Sequence, residues 1–198
     1  MKIYENAITA DTHFYDHDFD ITVTNPIRLY DQAVDLGVSH NACFVYDGFT
    51  PDDIKQGGVG DCWFLSALAA LVGHKERTKR VIDHLLQPRF NQEDERVFAK
   101  GIYRFQFFKM GEFYDVIIDD LLPTSGGQQK KLQRAKSRRN VTTRRKNSTV
   151  THEHWIPLCE KAYAKFSGGY NYLKGGWPCW ALTELTGGIA IESTVSLM

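Results

Sequence analysis

Three different rhythms of apolar and polar positions run along the chain. Cys62–Val72, CWFLSALAALV, is almost continuously apolar and reads as a buried helix. Asp61 can cap its start and Gly73 can end it. Arg77–Leu86, RTKRVIDHLL, has the spacing of a second, amphipathic helix. Gly101–Leu122 then changes period. IYRFQFF and FYDVIIDDLL, rich in aromatic and β-branched residues and separated by Met110-Gly111, predict a β-hairpin that Pro123 closes. His154–Phe166, HWIPLCEKAYAKF, returns to helical spacing, with Pro157 in the first turn, where proline is tolerated.

The stretches between these elements are less regular. Pro26–Leu36 could hold a short helix broken by Gly37, and Asp47–Lys55, DGFTPDDIK, is turn-like. A glycine-rich tail, SGGYNYLKGGWPCWALTELTGGIAIE, follows Phe166, and no repeat is present. The mixture of helices and one hairpin predicts an α+β class. The organisation reads as a polar N-terminal segment over 1–40 and one domain over 41–198.

Composition adds bounds. At 198 residues, 42% of them hydrophobic and 13% aromatic, the chain suits one globular domain. The longest apolar run, Cys62–Val72, is too short to span a membrane. The start, MKIYENAITADTHF, has no cationic lead followed by an apolar run, so a cytoplasmic protein is expected. Cys43, Cys62, Cys159 and Cys179 show no C-x-x-C spacing and read as free thiols. The formal net charge of zero hides an asymmetry. Lys130–Lys146 carries nine basic residues and no acidic one, so the rest of the chain is an acidic body. This basic part belongs to a hydroxyl-rich, low-complexity stretch over Gln128–Val150, read as a loop or disordered insert. It has no interleaved aromatic residue, which argues against nucleic-acid stacking. Asp11, His13, Asp16, His17 and Asp18 have ligand chemistry, but so near a terminus they read as solvated surface.

Gln56–His74, QGGVGDCWFLSALAALVGH, carries the candidate chemistry. Thiolate is the nucleophilic form of cysteine, and a helix N-terminus favours it through unpaired N–H groups and the helix dipole. Cys62 falls where this helix would start. Gly57, Gly58 and Gly60 give the preceding loop a small profile, so a substrate could reach the sulfur. Gln56, six residues upstream, could swing back and form an oxyanion hole with the Cys62 N–H. The plain alternative is a core cysteine in an apolar helix, the common fate of that residue. The glutamine spacing, the glycines and Trp63 favour the nucleophile.

QGGVGDCWFLSALAAL resembles the active-site cysteine segment of the calpain family of cysteine proteases. GEFYDVIIDDLLP resembles the family's strand pair before a variable loop. HWIPLCEKAYAKFSGGYNYLKGG and the later LTGG resemble its next helix and substrate-side glycine loop. The resemblance runs from about Phe44 to Glu192, with the motifs in order. It implies a papain-like fold, here the helical cysteine-bearing lobe with a small antiparallel hairpin. It also implies calcium-dependent endoproteolysis of protein or peptide substrates. On it, Cys62 takes the nucleophile's role, Gln56 the oxyanion donor's, and Gly176 pairs with substrate backbone. Calcium would be held by the carbonyls of Tyr46 and Gly48 and the carboxylates of Asp53 and Glu153, all hard oxygen donors.

Three departures qualify the resemblance. The family's catalytic histidine and asparagine lie in a second lobe, which is absent before Met198. None of the seven histidines lies in a segment like the family's base; His74, beyond the helix that Cys62 opens, would be roughly 18 Å from the thiol at 1.5 Å per residue. The Gln128–Val150 insert is longer and more basic than the family's loop. Pro51 replaces a residue that is often basic and ties the calcium loop to the other lobe. The expectation is therefore a partial catalytic domain, inactive alone and wanting a second lobe. The other reading is a non-catalytic calpain-like binding or scaffold module.

Overall fold

The computed structural model describes residues 11–21, 26–28, 49–54, 60–74, 100–125, 131–132, 141–142, 149–150 and 155–191. The hairpin forms where alternation predicted it. Strand β2, Ile102–Lys109, pairs antiparallel with β3, Glu112–Asp119, in register from Ile102↔Asp119 to Lys109↔Glu112. Met110 and Gly111 both take positive φ, 51° and 91°. That two-residue turn matches the right-handed twist of the strands it joins. Tyr103, Phe105 and Phe107 share one face of β2, and Val116 and Ile118 lie on the same face of β3; all five are buried. The opposite face is mixed: Arg104 and Gln106 bond the Asp115 carboxylate, while Phe108 and Phe113 meet edge to face near the turn.

Helix α1, Cys62–Val72, buries Trp63, Phe64, Leu65, Ala67, Leu68 and Val72. Helix α2, Trp155–Phe166, lies on both hairpin strands and is buried from Trp155 to Ala164. A third helix, α3, Pro178–Thr186, packs on α1 and β2. Tyr163 of α2 joins the layers. Its ring stacks on Phe64 at 4.2 Å between centroids and leans on Phe107 at 5.3 Å, and its hydroxyl donates to Glu184 of α3. Burial of each such aromatic side chain contributes about 1.5–3 kcal/mol. Burial also pushes the Tyr163 phenol well above its ordinary pKa, with Glu184 acting in the same direction.

A chain of buried charges fastens the N-terminal segment to this core. Lys161 and Asp119 form a fully buried ion pair, and the Lys161 ammonium also donates to the carbonyls of Asp119 and Leu121 at 3.2 and 2.9 Å. Asp119 in turn accepts from the Asp16 and Leu121 amides, at 2.8 and 2.9 Å. Lys165 donates to both Asp16 oxygens, at 2.7 and 2.9 Å, and to the Ile117 carbonyl at 2.9 Å. Arg28 pairs with buried Asp120. Desolvation lowers the Lys161 pKa against the opposing effect of Asp119, and burial raises that of Asp16 against Lys165. Phe19 adds a ring contact to Tyr170 at 5.6 Å.

Several expectations need correction. Asp16 is not solvated surface: it is 3% exposed and held by a lysine 149 residues away. Ile27–Arg28, expected to open a helix, form strand β1, paired antiparallel with β4, Leu121–Leu122. The hairpin strand stops at Asp119 because Asp119 and Asp120 turn into the charge network, and the chain then pairs with β1 instead. In the stretch over 128–150, read as a loop or disordered insert, the described positions 131–132 pair with 124–125 just upstream of it, and 141–142 pair with 149–150. Helix α3 was not foreseen. Pro178 opens it, and Gly187, at φ 71°, closes it by donating to the Thr183 carbonyl. The helix expected over Arg77–Leu86 lies outside the described residues.

Candidate active site at the tip of the first helix

Cys62 is the first residue of α1 and is exposed. The helix behind it is anchored by five buried apolar side chains from Trp63 to Leu68, so the thiol sits on a rigid base. Asp61 caps the helix through its backbone, not its side chain as expected. Its carbonyl accepts from the Phe64 and Leu65 amides at 3.0 and 3.1 Å, while its carboxylate turns inward and is fully buried. Gly73 ends the helix by donating to the Ala69 carbonyl at 3.0 Å. His74 follows at the end of α1 opposite Cys62.

The glycine loop is fastened beside this tip at two points. The Trp63 indole donates to the Leu173 carbonyl at 2.9 Å, and the Gly175 amide donates to the Gly60 carbonyl at 3.2 Å. Gly176 then lies flat on the Trp63 ring, so closely that any Cβ there would run into it. Glycine at 176 thus has a packing reason of its own. Among the described residues, the Gly176 backbone makes no hydrogen bond. The next residue, Trp177, is extended at φ −111°, ψ 134°. A backbone with no partner among the described residues, followed by an extended residue, is a surface that a peptide strand can pair with.

The remaining candidates divide cleanly. Gln56, Tyr46, Gly48 and Glu153 lie outside the described residues, as does Cys43. Asp53 closes a short 3-10 turn, Pro51–Asp53, whose Pro51 carbonyl accepts from the Ile54 amide at 3.1 Å. Cys159 has no accessible surface, and its burial, with Glu160 beside it, drives its thiol pKa well above the ordinary value. Cys179 is exposed. No group of three or more His, Cys, Asp or Glu side chains is placed to hold a metal among the described residues. Sequence reasoning missed the Leu173 carbonyl and the Trp63 clamp on Gly176. Trp63 itself was visible, but a backbone acceptor leaves no side-chain signal.

The family profile for calpain family cysteine proteases matches residues 32–197. This chain belongs to the calpain family of cysteine proteases. It is 32% identical over 195 residues to Calpain-B of Drosophila melanogaster, covering 96% of this chain and 19% of that protein. It is 39% identical over 150 residues to Calpain-8 of Mus musculus, covering 76% of this chain and 18% of that one. The corresponding figures for the Calpain-1 catalytic subunit of Rattus norvegicus are 37%, 149 residues, 75% and 18%. The chain therefore spans under a fifth of each of these calpains. The part matched to the calpain profile includes the Cys62 tip, the hairpin, α2 and the glycine loop.

Proposed function

We propose that this chain is the cysteine-bearing lobe of a papain-like, calpain-type endopeptidase, with Cys62 as nucleophile. The observation that carries this reading is the exposed thiol on a helix tip, one residue before Trp63, on whose ring Gly176 lies with no backbone hydrogen bond among the described residues. A peptide pairing with Gly176 would be held in an extended form. The Cys62 thiolate attacks the scissile carbonyl carbon, and the carbonyl electron pair moves to oxygen. The Cys62 amide and Gln56 stabilise that oxyanion. Collapse breaks the C–N bond, leaving a thioester on Cys62. Water then releases the acid. The amine leaves with a proton from a histidine, oriented by an asparagine, that the rest of the protein supplies. Among the described residues, His74 stands at the wrong end of α1 for that task. The chain alone is accordingly expected to turn over no peptide. The partner it needs is a second catalytic lobe, and a reducing compartment such as the cytoplasm keeps Cys62 competent. Among the described residues no helix is long and apolar enough to cross a membrane.

Calcium would be held by the Tyr46 and Gly48 carbonyls and the Asp53 and Glu153 carboxylates, an all-oxygen set that suits it. When bound, it would supply a cross-link between the two stretches carrying those groups. Phe49, which follows Gly48 in sequence, makes an edge contact with Trp155, two residues after Glu153, at 5.0 Å between centroids. Thermal melting in millimolar calcium against EGTA should show a rise that disappears in Asp53→Ala. A rise that persists in Asp53→Ala removes this ligand set.

Iodoacetamide labelling with peptide mapping tests the nucleophile. Cys62 should label far faster than Cys159 in the folded chain. Equal rates would make Cys62 a core residue and end the protease reading. A non-catalytic binding module gains support if the chain stays silent when a complementary calpain lobe is added.

A further inference from the structure

Among the described residues, most lysine side chains are engaged. Lys100 pairs with Asp11, Lys161 with Asp119 and Lys165 with Asp16, while Lys109 stands over the Phe166 ring at 5.2 Å. Lys174 differs. It is exposed, and its ammonium has no carboxylate, carbonyl or ring partner among the described residues. A solvated lysine is ordinary on a surface, so the cation alone says nothing. Its footing says more. The Leu173 carbonyl just before it is held by the Trp63 indole at 2.9 Å, and the Gly175 amide just after it is held by the Gly60 carbonyl at 3.2 Å. The Lys174 Cα stands 4.0 Å from where a Cβ on Gly60 would lie. The Lys174 backbone is therefore pinned to the Cys62 tip on both sides, while its four-carbon stem and its charge are free to swing.

Cys62 follows Gly60 by two residues, a span of about 7 Å at most. A peptide whose carbonyl carbon reaches Cys62 lays the residue carrying that carbonyl beside the Gly60–Gly175 junction, with Lys174 at its edge. Competing charge is scarce there. Neither α1 nor α3 has an acidic residue in its first turn, and the Asp61 carboxylate is buried in the core. A carboxylate on the bound peptide would meet a cation that no neighbouring acid neutralises. A lysine or arginine in its place would meet a like charge.

We propose that Lys174 is a specificity determinant that favours an acidic residue, Asp or Glu, at the position supplying the carbonyl that Cys62 attacks. This rests on the reading of Cys62 as nucleophile given above. It adds charge as the property by which that site chooses its peptide. The interaction is between exposed groups, so the preference is graded and weakens with salt.

The test uses the full chain and two alkylating probes of similar size, iodoacetate, an anion, and iodoacetamide, which is neutral. In both, the sulfur displaces iodide. Their rate ratio at Cys62, read by peptide mapping and divided by the ratio for N-acetylcysteine amide, reports the charge around the thiol. Lys174→Glu should lower that ratio about fivefold and Lys174→Ala by less, with circular dichroism confirming the fold. Salt at about 1 M, where the screening length falls to about 3 Å, should shrink the difference. Lys109→Glu makes the same change of net charge at the end of β2 and should leave the ratio where it was. A ratio that Lys174→Glu does not move, or that Lys109→Glu moves as far, overturns the proposal. Dipeptide chloromethyl ketones ending in Asp, Ala or Lys then put the charge on the substrate side chain. The Asp reagent should outpace the Lys reagent about tenfold in wild type and fall behind it in Lys174→Glu. A wild type that prefers neither overturns the proposal. If iodoacetamide labels Cys62 no faster than Cys159, the nucleophile fails on its own account. Amides of the same dipeptides are then titrated against tryptophan emission in Cys62→Ser. An acidic preference that Lys174→Glu reverses sustains Lys174 as the residue that reads charge, and its absence overturns that role as well.

Discussion

Cys62 and Cys159 each lie on an apolar helix of three turns, yet Cys62 is exposed and Cys159 has no accessible surface. Helix α1 is the more apolar sequence, but α2 is the more deeply buried. Helix α2 hides even Glu160 and Lys161, whereas α1 leaves Ser66 and Ala70 in solvent. The difference comes from placement. Cys159 sits within a helix that lies on both hairpin strands and is buried from Trp155 to Ala164. Cys62 opens a helix whose apolar side chains all lie behind it. Apolar sequence thus reports that a helix packs somewhere. Whether a particular thiol can react depends on which end the packing leaves bare.

The sharpest way to break this contrast is through the charges that α2 buries. Lys161→Ala leaves Asp119 buried without its cation and should cost about 3–5 kcal/mol in denaturant unfolding. Lys165→Ala, at the wetter end of the helix, should cost clearly less. Parity between the two would mean that Lys161 is not as dry as its position implies. Next comes one substitution made on both helices. Cys159→Ser puts a hydroxyl into a sealed apolar site and should cost about 1–3 kcal/mol, while Cys62→Ser should stay within about 0.5 kcal/mol. Calorimetry of the two variants reads the contrast directly, and equal losses would abolish it. Smaller in scope is Gly176→Ala. Its methyl meets the Trp63 ring and should cost about 1–2 kcal/mol, with a shift in tryptophan emission. Trp63→Phe in the same chain should recover part of that loss, because the smaller ring makes room.

The smallest effect concerns Asp16 and depends on pH. Burial raises its pKa, so the folded state takes up a proton more readily there than the unfolded chain does. The stabilising contribution is present at acid pH and is lost as pH rises from about 4, the ordinary carboxylate value, through the raised one. Wild type should therefore lose part of its advantage over Asp16→Asn between pH 3.5 and 7. A gap that widens with pH would show that Lys165 outweighs burial.

The elements with a strong local period were legible. The hairpin announced itself by alternation and by Met110-Gly111, and α1 and α2 by their apolar spacing. Helix α3 was not, because only Ala181 and Leu185 of its nine residues are buried, leaving almost no periodic signal. Strand β1 was invisible because its two residues pair with Leu121–Leu122, far along the chain. Asp16 looked like solvent-facing polar sequence because nothing nearby reveals Lys165. At the candidate site, Cys62 was readable from its glycines and its position before an apolar run. The Trp63–Leu173 bond was not, since its acceptor is a backbone carbonyl.

The charge chain through Asp16 and Arg28 also ties residues upstream of position 32 to the core. The calpain match opens at residue 32, and a boundary drawn there would look natural. Cutting at that point would remove the counter-charges of Lys165 and Asp120, and with them the Asp16 amide that binds Asp119. The profile's edge would then mark only where its own pattern begins, while the ion pairs that fasten the core reach back to Asp16 and Arg28.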